Sequence, residues 1–159
     1  MKGRLTMKNF NAIKYAEEML DKYNRAAYKV IIEYTYDGRR EIIGIDDYDP
    51  ATYHVCGFCD PEDYSIHIYV GSIIRQAERM KISPEKLIRR VVRHECRHAQ
   101  QFQYLRGKGG DSLLENVLFN EGFYSYGAGV LERDAILASF GITLPFGFVF
   151  RKLLKTLKK

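Results

Sequence analysis

Residues 94–98 read His94-Glu95-Cys96-Arg97-His98, two imidazoles four positions apart with a carboxylate beside the first. On an α-helix this spacing projects both rings from one side, close enough to share a metal ion, and the adjacent carboxylate reaches the open coordination position. With His94 at zero and about 100° per residue, Leu87, Ile88, Val91, Val92, Glu95, His98, Ala99, Phe102 and Leu105 fall within an arc of about 20° to 160°. That arc is the expected buried face. Lys86, Arg89, Arg90, Arg93 and Arg97 fall between about 220° and 320°, the expected solvent face. Three titratable groups on or beside an apolar stripe cost several kcal/mol when unpartnered, and a metal ion would satisfy them. The competing reading is a pair of core histidines bonded to backbone, with Glu95 paired to an arginine.

A second group of possible ligands is Cys56-Gly57-Phe58-Cys59 with His54 two residues before it. A zinc knuckle needs a second pair of ligands, and a redox CxxC normally opens a helix after a strand. Neither context is evident, so two small half-buried thiols in a hairpin turn are the expectation. Cys96 falls at about 200° on the helix wheel, away from the histidines.

The elements that must position these groups follow from period and punctuation. Asn9 or Asn11 caps a first helix to about Tyr23, with Ile13, Ala16, Met19 and Leu20 on one face. Tyr28 to Tyr36 reads as a strand, Asp37-Gly38 as a turn and Glu41 to Ile45 as the returning hairpin partner. Tyr64 to Val70 reads as a further strand with Ile66, Ile68 and Val70 on one side and Ser65, His67 and Tyr69 on the other. A short helix covers about Ser72 to Met80. Ser83-Pro84-Glu85 then starts the helix of the paired histidines, which runs to Arg106 and stops at Gly107-Lys108-Gly109-Gly110. Asp111 or Ser112 opens the next helical stretch, and Val130 to Ser139 forms another.

These 159 residues, 46% hydrophobic and 28% charged, suit one compact domain spanning 1–159. A helix-plus-sheet portion covers 1–63, an edge strand and the metal-site helices cover 64–139, and an apolar then basic segment covers 140–159. Three cysteines, no signal-like start and no long apolar run predict a cytoplasmic protein without a disulfide framework. The net charge of +5 comes wholly from the five bases of the last nine residues. Residues 37–63 carry −6 and residues 75–106 carry +6. The charge therefore points weakly, if at all, to nucleic acid or membrane, with Arg151 to Lys159 as the one candidate surface.

The His94–His98 motif resembles that of zincin-type zinc metallopeptidases. No histidine follows His98, which disfavours branches with a downstream histidine ligand and leaves the gluzincin pattern, whose third ligand is a carboxylate. Glu132-Arg133-Asp134-Ala135, with Tyr126 before it, is similar to the E-x-D-A helix of short phage and mobile-element proteins of this kind. Phe119-Asn120-Glu121-Gly122-Phe123 resembles the NEGF segment of aminopeptidase-type gluzincins, which makes Glu121 the alternative third ligand. The resemblance covers Tyr64 to about Ser139 and implies an α+β zincin-like domain: a small N-terminal sheet, an HExxH helix and a following carboxylate-bearing helix. It implies that His94, His98 and Glu132 hold Zn2+, that Glu95 is the general base for a zinc-activated water, and that the substrate is a peptide or protein. It also makes Tyr64 to Val70 the edge that pairs with an extended substrate. The alternative of another class is a non-catalytic zincin-like protein that binds nucleic acid or a protein partner.

Overall fold

The computed structural model describes residues 2–34, 55–122 and 129–157. Among them, α1 (Lys2–Tyr23), α2 (Val70–Met80), α3 (Pro84–Glu121), α4 (Val130–Ser139) and α5 (Phe146–Leu157) surround a sheet of β1 (Lys29–Glu33), β2 (Gly57–Asp60) and β3 (Ser65–Tyr69). The class is α+β. No helix among the described residues is long and apolar enough to cross a membrane.

The strand order is β1-β3-β2, with β1 parallel and β2 antiparallel to β3. This overturns the expectation that Tyr64 to Val70 is an edge, because β3 is hydrogen-bonded on both sides. All five of its residues are buried, so no solvent face exists, and Val70 already belongs to α2. An isolated strand's alternation cannot reveal burial of its second face by other layers. The expected turn at Asp37-Gly38 and the hairpin partner Glu41 to Ile45 lie outside the described residues. The first helix starts at Lys2, so Asn9 and Asn11 lie inside it instead of capping it.

Helix α3 is the spine of the molecule. Ser83 Oγ accepts the Lys86 N–H at 3.2 Å and Pro84 occupies the first turn, as the Ser-Pro-Glu punctuation predicts. The glycine run interrupts the helix as expected, since Gly109 (φ −154°, ψ 16°) and Gly110 (φ 70°, ψ −166°) are non-helical and α3 is two helical stretches meeting there. After this kink the chain resumes helical geometry to Glu121. Gly110 adopts φ 70°, which a side chain would resist. Ile88, Val92, Ala99 and Phe102 of α3 are fully buried with Ile66 and Ile68 of β3 and Ala16 of α1.

The basic side of α3 is a solvent face only in part, with Lys86 exposed and Arg89, Arg90 and Arg93 half-buried. Arg97 is buried, Arg93 donates to Tyr23 Oη at 2.9 Å, and the Arg90 guanidinium lies 4.6 Å from the Phe140 ring centroid. Helix α1 and the chain after α4 partly cover this side, and Arg90 and Arg93 lie along the Phe140 and Tyr23 rings. At the other end, α5 buries Val149 and Leu153 and leaves Arg151, Lys152 and Lys155 exposed. Lys158 and Lys159 lie outside the described residues.

Candidate metal centre

Helix α3 turns the rings of His94 and His98 toward α4, where Glu132 sits in the first turn. The ring centroids are 4.8 Å apart and nearly perpendicular, and His98 stacks on buried Phe102 at 5.9 Å, so positions 94, 98 and 102 form one ladder on the helix. Glu132 spans both imidazoles. Its Oε1 lies 3.0 Å from His94 Nε2 and its Oε2 lies 3.1 Å from His98 Nε2. The three ligand atoms lie within 4.8 Å of one another. Four donors about 2.0–2.1 Å from a tetrahedral zinc are about 3.3 Å apart, so the His–Glu distances of 3.0 and 3.1 Å are near what an ion needs, whereas the group as a whole, spread over up to 4.8 Å, must draw together to hold one. His98 is buried, whereas the His94 and Glu132 side chains remain 20% and 36% exposed, leaving the group open on one side.

The tautomer of His98 bears on what the group can hold. Gln101 Nε2 donates to Leu131 O at 2.9 Å and to Asp134 Oδ2 at 2.7 Å. Both are acceptors, so the Gln101 carboxamide is oriented with its oxygen toward His98 Nδ1, 2.8 Å away, and Nδ1 carries the hydrogen. A neutral His98 then turns the lone pair of Nε2 toward the Glu132 carboxylate. Two acceptors at 3.1 Å repel each other unless a proton or a cation lies between them. An Nδ1–H held by a carboxamide with Nε2 directed at the ion is the usual arrangement of a metal-ligating histidine. The donor set therefore fits a divalent metal.

A second layer supports these groups. Arg97 forms a bidentate pair with Asp134, Nε to Oδ2 at 2.7 Å and Nη2 to Oδ1 at 3.1 Å, and its Nη2 also donates to Leu144 O at 2.6 Å. Asp134 accepts from Gln101 as well, so a continuous chain runs from His98 through Gln101 and Asp134 to Arg97. Gln101 escapes a motif reading, and Asp134 stands in the E-x-D-A segment without an assigned role, because neither role has a spacing of its own. The available signals are the i, i+3 relation of Gln101 to His98 and the two-residue offset of Asp134 from Glu132.

Glu121, the alternative third ligand, is elsewhere. Its Oε1 accepts the Leu131 backbone N–H at 2.9 Å, tying it to the start of α4. Gly129 leaves room for that carboxylate, since a Cβ there would lie 2.5 Å from Glu121 Oε2. Among the described residues, the metal-ligand geometry unites His94, His98 and Glu132 and includes neither Glu121 nor a cysteine.

Glu95 is buried on the sheet side of α3. Its Cγ would come within 3.0 Å of a Cβ at Gly57, the glycine that lets β2 approach. Burial pushes its carboxyl up to about 7, with the Glu132 carboxylate adding to the shift and His94 opposing it. Burial also tends to raise Glu132, but when the facing Nε2 atoms of His94 and His98 carry a proton their hydrogen bonds outweigh it and hold that carboxyl well below the usual range. Cys56, Cys59 and Cys96 form no disulfide. Burial, reinforced by the Glu95 carboxylate, pushes Cys56 up to about 11 and Cys96 up to about 12, with Cys59 also well raised. Such thiols are unreactive. Cys59 is on strand β2 and fully buried, not half-buried in a turn, while His54 and Tyr126 lie outside the described residues.

Comparison with known proteins found no matching family model, no similar curated protein and no similar solved structure.

Proposed function

We propose that this chain is a zinc-dependent peptidase of the gluzincin kind, with His94, His98 and Glu132 as the protein ligands and Glu95 as the general base. The observation that carries the reading is the convergence of His94 Nε2 and His98 Nε2 on the two oxygens of Glu132, with His98 Nδ1 committed to Gln101. Zinc in such a site lowers the pKa of a bound water to about 7 and polarises a carbonyl oxygen. The remaining work falls to the chain. Glu132 brings one negative charge to the two neutral imidazoles, so the donor set leaves a divalent ion with net positive charge. Gln101 keeps His98 in the tautomer that offers Nε2. Glu95, next to His94 in sequence and raised toward neutrality by burial, takes the proton of the attacking water and returns it to the leaving amine.

Metal analysis of the purified full chain and a peptide-library assay test this reading. One equivalent of zinc is expected, falling away in His94→Ala, while Glu95→Gln keeps zinc and loses hydrolysis. Absence of stoichiometric zinc, or zinc unchanged in His94→Ala, overturns the assignment; full hydrolysis by Glu95→Gln removes Glu95 from the chemistry.

A further inference from the structure

On the side of α3 opposite His94 and His98 lies a cavity of about 610 Å³, bounded by the end of α1, by α3 and by the chain from the end of α4 into α5. The volume falls within the range of small-molecule sites, about 300–1,000 Å³. Among the described residues its lining includes Arg25, Arg93 and Arg97 and no aspartate or glutamate. Arg97 is neutralised by Asp134 from behind, through its Nε and Nη2. Arg93 meets no carboxylate among the described residues: its partners there are the Tyr23 hydroxyl at 2.9 Å and the Tyr23 ring at 5.1 Å, both uncharged. Arg25 is exposed and pairs with no carboxylate among the described residues. The field is felt by Tyr23, whose phenol is drawn below its usual range by the Arg93 hydrogen bond.

Two guanidinium groups without carboxylate partners among the described residues, at a cavity lined also by Gln100 and Gln103, suit an oxyanion. The other wall is aromatic. Tyr104 and Phe146 lie in the lining and stack on each other with centroids 5.1 Å apart, and Arg97 covers the Phe146 ring at 4.0 Å. We infer that this cavity binds a small organic anion, a carboxylate or phosphate carried on a planar ring, with the oxyanion at Arg93 and Arg25 and the ring beside Tyr104 and Phe146. The inference is independent of the zinc reading, since it uses the opposite side of α3.

Calorimetric titration of the full chain with phenyl phosphate, benzoate and inorganic phosphate tests it, the first two probes distinguishing the phosphate from the carboxylate source. At least one ring-bearing anion should saturate a single site about tenfold more tightly than inorganic phosphate. Arg93→Gln and Arg25→Ala should each weaken it about tenfold. Arg25 is exposed, so its variant remains informative if Arg93→Gln unfolds. Arg79→Gln, an exposed charge on α2, should bind as the parent does, and chelator treatment should change nothing. Absence of saturable binding by either ring-bearing anion overturns the inference. So does an equal loss in Arg79→Gln, which would signal bulk charge, or loss on chelation, which would place the anion at the metal centre.

Discussion

The Glu121 carboxylate accepts the backbone N–H of Leu131, the residue immediately before Glu132, at 2.9 Å. The two glutamates that compete for the metal in the sequence thus act on the same helix end, one by carrying the ligand oxygen and the other by anchoring the backbone beside it. An acidic side chain at that place also complements the positive end of the α4 dipole.

Glu121→Ala is therefore expected to cost about 1 kcal/mol of stability, the usual loss for a helix-end acceptor, and to weaken zinc binding only modestly. Glu132→Ala should abolish stoichiometric zinc. Urea unfolding and competitive zinc titration of both variants check this, and the reverse pattern would make Glu121 the ligand.

Asp134→Ala should do more damage than a surface change. It leaves the buried Arg97 guanidinium without its bidentate partner, a loss of about 3–5 kcal/mol, and frees the Gln101 carboxamide that orients His98. Gln101→Leu keeps the Arg97–Asp134 pair but leaves the Leu131 carbonyl without this donor and one bond to Asp134 unmade, so it should cost less stability than Asp134→Ala, about 1–3 kcal/mol, while zinc affinity falls about 10–100-fold. Thermal unfolding and zinc titration on the two variants separate the effects; equal zinc affinity in Gln101→Leu and parent would show that the His98 orientation is held by other means.

Gly57→Ala tests the approach of β2 to α3. The new Cβ would meet Val91 Cγ1 at 2.9 Å and Glu95 Cγ at 3.0 Å, with the His67 carbonyl at 3.2 Å, so it displaces the Glu95 side chain or separates the strand from the helix. A loss of about 1–3 kcal/mol is expected from overpacking. Hydrolysis should fall more than zinc content, because the displaced group is Glu95 and not a ligand.

The thiols give a pH test. Cys56 and Cys96 are raised by burial to about 11 and about 12 from an ordinary value near 9, so the folded chain keeps protons that the unfolded chain releases above pH 9. Fewer protons bound in the unfolded state mean that stability falls as pH rises. Their contribution is complete below about pH 9 and is lost progressively as pH rises through the folded-state values. Urea titrations from pH 8 to 10.5 should show the decline. Iodoacetamide at pH 8 should label the native chain far more slowly than the urea-unfolded chain; rapid native labelling would contradict the burial.

What the sequence determines is local. The spacing of His94 and His98 places two rings on one side of a helix, Ser83-Pro84 marks where that helix begins, and Val130 to Ser139 is readable to the residue. Helical geometry links these positions over one turn or less, and it operates before any tertiary contact forms. Relations between elements were open. Glu132 and Glu121 lie 34 and 23 positions beyond His98, and only the packing of α4 on α3 brings one to the imidazoles and the other to the Leu131 amide. Arg97 belongs to a basic stripe in the sequence, yet Asp134 and the chain around Leu144 bury it. Strand β3 alternates like an edge or half-buried strand, but β1, β2 and the helices enclose it. The second faces of strands and helices, and the partner of every buried charge, depend on which elements approach, and that is decided by burial of the whole apolar core, which no single segment encodes.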